Sequence, residues 1–387
     1  VFQTINFVTP SVIFGNDTVD QVGAEAKRLG ARRVLLITGP SVQKTGVADR
    51  VIESLKAQSL DVVLEVLEKS TTEPTTELAE NTAEQIKKLK ADVVIGLGGG
   101  SIMDVAKMAA ALPSNPGKVR EFFGPGKVKN RGIPTIMLPT TSGTGAEVTK
   151  HAIFLDQEND VKKAVASINL LPNVAIVDPL LTVTCPAHVT ASAGMDAYFH
   201  AAEPFVSNMA NPITDSIALE AIKLVTKWLG PAFSDGTNVE ARYNMSLGSL
   251  MAGFVLNNAG TSLVHAMAYP IGGEFHVPHG ISLTVLVVAC FDYIIIARQD
   301  KFVKLADAMG EVIEGLSSRE AAKRSLEALR YLIKSVDLPA SLTDLDITDH
   351  SKVDRWAKEA YAEQRLLGRS VRKLSVEDIK KIYLNAF

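Results

Sequence analysis

The sequence predicts an α/β domain built on a parallel sheet, followed by an all-helical domain. Three observations carry this expectation. The first half alternates short unbroken apolar runs with amphipathic helical segments. From Pro186 onward the apolar residues recur near every 3.6 positions and no convincing strand pattern remains. The length, 387 residues, exceeds what one small core organises and fits two or three domains.

The apolar runs are RRVLLITG (32–39), LDVVLEVLE (60–68), ADVVIGLGGG (91–100), IPTIMLPTT (133–141) and NVAIVDP (173–179), most of them closing on Gly, Pro or Thr. Strands buried on both faces of a parallel sheet read this way, because neither face needs a polar partner for solvent. Between them, segments such as 20–30 and 78–90 have polar faces and helical apolar spacing, which gives the βαβ rhythm. After the switch, 213–230, 240–260, 300–313, 318–336 and 352–364 are all helical in period. The expected division is therefore an α/β domain over 1–185 and a helical domain over 186–387. The most apolar stretch, 281–297, carries Asp292 and is short for a bilayer span, so it is expected to be a buried core helix.

Charge and cysteine content narrow the partners. A net charge of −3 offers no electrostatic reason to bind nucleic acid or an anionic membrane, which leaves a small molecule. Two distant cysteines, Cys185 and Cys290, form neither a disulfide framework nor a thiolate metal motif, and suit a reducing cytoplasm. The opening residues lack the basic region and apolar core of a signal peptide.

Two loops follow predicted strands. In VVIGLGGGSIMDVAK, Gly98, Gly99, Gly100 and Ser101 separate a strand from a helix, where close backbone approach and free N–H groups suit a pyrophosphate. The spacing misses the strict GxGxxG fingerprint and the loop follows a later strand, so a standard dinucleotide unit is not the best description. In PTTSGTGAEVT, Thr140, Thr141, Thr144 and Thr149 crowd around two glycines, and their hydroxyls suit ribose, phosphate or a carboxamide.

Histidines are few, seven in all, yet three fall within HAMAYPIGGEFHVPHG (265–280). Asp196 and His200 lie four residues apart in a helical segment, on one face. Adding His265 and His279 makes an Asp-His-His-His set, three nitrogens and one carboxylate, which suits a divalent first-row cation such as Fe²⁺ or Zn²⁺.

Taken in order, GGGSIMDVAK, PTTSGTGAEVT, GMDAYFHAAE and HAMAYPIGGEFHVPHG resemble the signature of the iron-dependent (group III) alcohol dehydrogenases, the family that includes lactaldehyde reductase. The likeness runs from SVIFG near the start to the C-terminal helices. It implies a dehydroquinate synthase-like fold: an N-terminal Rossmann-like domain and a helical C-terminal domain. It implies metal ligation by Asp196, His200, His265 and His279, a pyrophosphate loop at Gly98, Gly99, Gly100 and Ser101 with Asp104 in the following helix, and nicotinamide and ribose contacts at Thr140, Thr141, Thr144, Thr149 and Lys162. A homodimer is implied as well.

Three departures from the family pattern bear on chemistry. Tyr269 stands where a second histidine is usual, and with an ordinary pKa near 10 it is a poor proton acceptor at neutral pH. Gly39 stands where NAD-preferring members carry an aspartate, and Ser41 follows, so both NAD and NADP are open. Lys150 and His151 follow the threonine loop near the expected substrate pocket, where a basic group would favour an anionic aldehyde. The expected activity is metal-dependent hydride transfer between a primary alcohol and NAD(P), with Tyr269 and His151 as candidate catalytic groups. A dehydroquinate synthase-like or glycerol dehydrogenase-like enzyme, or a non-catalytic relative, is the alternative.

Overall fold

The computed structural model describes residues 4–68, 74–156, 158 and 161–387. Two compact units form, one over Val8–Cys185 and one over Pro186–Phe387. The residues just before Val8 group with the helical unit, not with the α/β unit to which the sequence pattern assigns them. Pairing to the sheet begins only at Ser11, so nothing in the ladder ties those residues to it.

The strands are β1 (Ser11–Phe14), β2 (Arg33–Thr38), β3 (Asp61–Val66), β4 (Val93–Gly98), β5 (Gly124–Pro125), β6 (Thr135–Pro139), β7 (His151–Asp156), β8 (Val161–Ala166) and β9 (Val174–Val177). Six of them form one sheet in the order β1-β9-β6-β4-β2-β3, every pair parallel. Side chains alternate across it as the pleat requires. Val34, Leu36, Val93, Ile95, Leu97, Ile136 and Leu138 enter the core on one face. Leu35, Ile37, Val94 and Met137 enter the core on the other, with the Gly100–Ala111 helix. Both faces are covered, which is why these strands read as unbroken apolar runs.

A smaller sheet, β5-β8-β7, escapes the sequence pattern for identifiable reasons. β5 is two residues long and β8 carries Lys162 and Lys163. β7 alternates buried and half-buried positions, as an antiparallel strand with one covered face does, and so lacks a continuous apolar run.

The order of the large sheet sets where loops collect. From β2 the chain moves to β3 on one side and returns to β4 on the other, so the connections reverse direction between β2 and β4. Such a switch opens a crevice at the carboxyl ends of the strands, the usual ligand position in open α/β sheets.

In the second unit no strand follows β9. The Ala187–Val206, Pro212–Ser234 and Val239–Ala259 helices pack on one another, and the Leu263–Phe275 and His279–Ile294 helices join the same core. The last of these runs on as a 3-10 turn to Ala297, and 67% of its most apolar window is buried inside the protein. It is long and apolar enough to span a bilayer by length and composition, but here it packs as the core helix that the sequence predicts.

Candidate active site

The Ala187–Val206 helix starts directly after Pro186 and places Asp196, His200 and Glu203 at intervals of four and three residues, along one stripe. The Leu263–Phe275 helix brings His265 and, one turn later on the same face, Tyr269. Its end is marked by His276 in the left-handed conformation (φ 51°), after which Pro278 leads into the next helix and His279 becomes that helix's first residue. Gly280 then meets the Asp196 helix: a Cβ there would stand 2.3 Å from the backbone oxygen of Ser192, so no side chain fits. Close backbone packing is what brings His279 toward Asp196.

Three imidazoles converge on Asp196 Oδ1. His200 Nε2 lies 3.4 Å away, His279 Nε2 3.9 Å and His265 Nε2 4.0 Å. The rings of His200 and His265 stack at 5.4 Å, and those of His265 and His279 meet at 5.2 Å and 64°. One ligand atom from each of Asp196, His265 and His279 falls within 4.8 Å of the others, a set that does not include His200. Asp196 Oδ1 and His265 Nε2 are buried without any hydrogen-bond partner. A buried carboxylate oxygen and a buried ring nitrogen left unpaired cost free energy unless something else engages them. Atoms held roughly 2.0–2.2 Å from a shared cation lie about 3–4 Å from one another, so these spacings and donor types fit a divalent metal.

Glu203 completes the arrangement and was not anticipated from the sequence. Its carboxylate, almost wholly buried, accepts from Val264 N at 2.6 Å and hydrogen-bonds His265 Nδ1. A carboxylate on one ring nitrogen of a histidine fixes the tautomer and turns the other nitrogen toward the ligand position. The signal was present in the GMDAYFHAAE stretch, seven residues after Asp196, but nothing in spacing alone says that a glutamate faces a histidine sixty-two residues away.

Tyr269 lies half-buried against the helical core. Burial pushes its hydroxyl up to about 12, with the Arg365 guanidinium pulling the other way, so it holds its proton at neutral pH.

In the α/β unit the two loops meet. β4 and β6 are neighbours, with Gly98 opposite Pro139, and Thr140 N donates to Gly98 O at 3.0 Å. A Cβ on Gly100 would stand 2.9 Å from Thr144 Cγ2, and one on Gly99 3.7 Å from Thr141 Oγ1. Gly98, Gly99, Gly100, Thr140, Thr141 and Thr144 thus form one surface at the end of two adjacent strands, with Ser101 exposed in the first turn of the Gly100–Ala111 helix. Gly39 ends the neighbouring β2 and caps the short Pro40–Gln43 helix that contains Ser41.

Asp104 and Thr149 take a different position. Both are buried around Lys107, whose ammonium has no exposed surface, lies 2.8 Å from Asp104 Oδ1 and 3.5 Å from Thr149 Oγ1, and donates to Ala146 O at 3.0 Å and to His151 O. Asp104 Oδ2 accepts from Ile153 N at 2.8 Å. This network ties the threonine loop and the start of β7 to the glycine-loop helix. Lys107 was missed in the sequence because a lysine in a helix reads as a solvated face. His151 opens β7 with a half-buried side chain, and Lys162 lies on β8 opposite Leu155.

Comparison with known proteins decides the family. Residues 9–179 match the model for iron-containing alcohol dehydrogenase, and residues 190–387 match that for the C-terminal part of the Fe-containing alcohol dehydrogenase family. The chain belongs to the iron-containing alcohol dehydrogenase family. A long-chain-alcohol dehydrogenase from Geobacillus thermodenitrificans is 39% identical over 377 residues, covering 96% of this chain and 94% of the relative. The crystal structure of a 1,3-propanediol oxidoreductase superposes with a TM-score of 0.95 at 32% identity, over 100% of both chains. A sulfoacetaldehyde reductase from Bifidobacterium kashiwanohense, solved in complex with NAD⁺, gives 0.88 at 26% identity, covering 100% of this chain and 99% of that one. The parallel sheet and helical region are accordingly those of the dehydroquinate synthase-like fold of iron-containing alcohol dehydrogenases. As a member, the chain is an alcohol–aldehyde oxidoreductase. The family matches in both halves favour an alcohol–aldehyde oxidoreductase over a dehydroquinate synthase-like lyase.

Proposed function

We propose that Asp196, His200, His265 and His279 hold a divalent cation, Fe²⁺ or Zn²⁺, and that the enzyme uses it with NAD or NADP to interconvert a primary alcohol and its aldehyde. The observation that carries this reading is the pair of buried, unpartnered atoms, Asp196 Oδ1 and His265 Nε2, facing one another among imidazoles. When bound, the cation supplies Lewis-acid polarisation of the substrate oxygen, and the nicotinamide supplies or accepts the hydride. Glu203 keeps His265 in the tautomer whose Nε2 is free to ligate. Tyr269, protonated at neutral pH, donates a hydrogen bond to the substrate, and His151 is kept as a second candidate catalytic group.

The cofactor is assigned to the reversal point of the large sheet. Gly98, Gly99, Gly100 and Ser101 offer backbone N–H groups at a helix N-terminus to the pyrophosphate. Thr140, Thr141 and Thr144 offer hydroxyls beside them. Asp104 and Thr149 brace the loops through Lys107, and Lys162, on β8, is assigned to the cofactor as well. Gly39 and Ser41 receive the adenosine ribose. The relative solved with NAD⁺ supports a nicotinamide here. The cysteine usage supports a reducing, cytoplasmic setting, and the family resemblance supports a homodimer.

Two measurements test this. Protein stripped with a chelator is expected to show no aldehyde-dependent oxidation of NADH or NADPH and to regain it on adding Fe²⁺ or Zn²⁺; turnover that survives chelation would remove the metal from the reaction. Gly39→Asp is expected to separate the cofactors. A Cβ at Gly39 has only ordinary contact, 3.6 Å to Ile102 Cδ1, and aspartate is favoured at a helix N-cap, so the fold tolerates it. Its charge opposes a 2′-phosphate, and kcat/KM with NADPH should fall roughly tenfold or more relative to NADH. An unchanged NADPH-to-NADH ratio would place the ribose elsewhere.

A further inference from the structure

The short helix Gln364–Leu367 packs against the helix that carries His265 and Tyr269, and two arginines flank it, Arg365 within it and Arg369 just beyond. Arg369 Nη1 donates to Thr261 O at 3.1 Å and lies so close over Gly260 that a Cβ there would be 2.1 Å from it. Gly260 has φ +72°, and its bare backbone is what admits the guanidinium. Arg365 is exposed and within hydrogen-bonding reach of the Tyr269 hydroxyl. The two guanidinium groups lie near enough to repel each other, and desolvation together with that repulsion lowers the pKa of Arg369. Neither has a carboxylate partner within 4.0 Å among the described residues. Glu203, whose charge favours the Arg369 cation, already serves Val264 N and His265. Two adjacent cations lacking an anion, one of them half-buried, are a costly arrangement that an anionic ligand would relieve.

We propose that Arg365 and Arg369, with the Tyr269 hydroxyl, bind the terminal acid group of a short aldehyde or alcohol, a carboxylate or a sulfonate, while its oxygen-bearing carbon faces His265. Tyr269 and His265 are four residues apart, a rise of about 6 Å, which matches an acid group roughly two to four bonds from the reacting carbon. The inference rests on the reading of Asp196, His265 and His279 as the metal site. It moves acid recognition from Lys150 and His151, where the sequence suggested it, to the helical unit that holds His265.

The test compares iron-loaded protein on length-matched pairs: succinate semialdehyde against butanal, and sulfoacetaldehyde against propanal. The wild type is expected to favour one or both acids by roughly tenfold or more in kcat/KM. Which pair shows the larger advantage separates carboxylate from sulfonate. Arg365→Gln is expected to remove most of that advantage, chiefly through KM, and Arg365→Lys to keep part of it. Binding of the non-reactive acids propionate and ethanesulfonate, followed by calorimetry on wild type and Arg365→Gln, gives a readout independent of turnover. If neutral aldehydes react and neither acid is favoured, or Arg365→Gln leaves the acid-to-neutral ratio intact, the arginine site is wrong while the metal reading stands. If no aldehyde reacts after iron loading, the metal reading fails, and equal calorimetric binding by wild type and variant would overturn the arginine site as well.

Discussion

Asp196→Ala and His265→Ala proteins are expected to lose stoichiometric iron or zinc and roughly a thousandfold or more in kcat/KM. The size follows from what the cation contributes, several kcal/mol of charge stabilisation, with each 1.4 kcal/mol worth about tenfold in rate. The direction follows from geometry, because Asp196 Oδ1 is the one atom that His200, His265 and His279 all approach. Because Asp196 Oδ1 is buried without a hydrogen-bond partner, Asp196→Ala is expected to leave the metal-free protein at least as stable as the wild type, which thermal unfolding measures. Elemental analysis of the purified variants, alongside turnover with a neutral aldehyde, checks the expectation. Full metal content with unimpaired turnover in both would end the assignment.

Glu203→Gln is expected to weaken metal affinity by roughly 10–100-fold, although Glu203 lies behind the ligands. The carboxylate serves two donors at once, Val264 N and His265 Nδ1. Glutamine has a single carbonyl oxygen and an amide that donates, so it cannot satisfy both and offers His265 the wrong partner for its N–H. Glu203→Ala goes further: it leaves two buried donors unpaired, costing about 1–3 kcal/mol each, and opens space in the core. Chelator competition reports the affinity, and thermal unfolding of the metal-free variants separates a positioning role from a general loss of fold. Equal affinity in wild type and Glu203→Gln would show that His265 is oriented by its packing alone.

Five of the six strands of the large sheet were legible, the central ones because burial on both faces gives unbroken runs such as VVIGLG; β1, a four-residue edge strand that is exposed or half-buried throughout, was not. The small sheet was not, since β8 carries two lysines and β7 leaves alternate residues half-buried. Asp196, His200, His265 and His279 stood out in sequence because rare residue types in a helical register are conspicuous, and the structure brings the three imidazoles within 4.0 Å of Asp196 Oδ1; that they hold a metal is our proposal. Glu203 and Lys107 were not, because acidic and basic side chains in helices usually point to solvent, and only three-dimensional packing reveals that these two are buried. Arg365 and Arg369 were missed too, because only in three dimensions is it visible that no carboxylate lies within 4.0 Å of either among the described residues.

The bare contact at Gly280 has a bearing on which ion is chosen. Where two helices touch main chain to main chain, their spacing has a hard stop, and the bore between Asp196 and His279 cannot breathe as it would across pliant side chains. A socket of fixed gauge rejects ions by radius and preferred coordination, yet iron, cobalt and zinc differ little in size, and intrinsic affinity alone ranks them in an order no protein escapes. If the four residues hold a cation as proposed, supply in the cell would then decide among these ions.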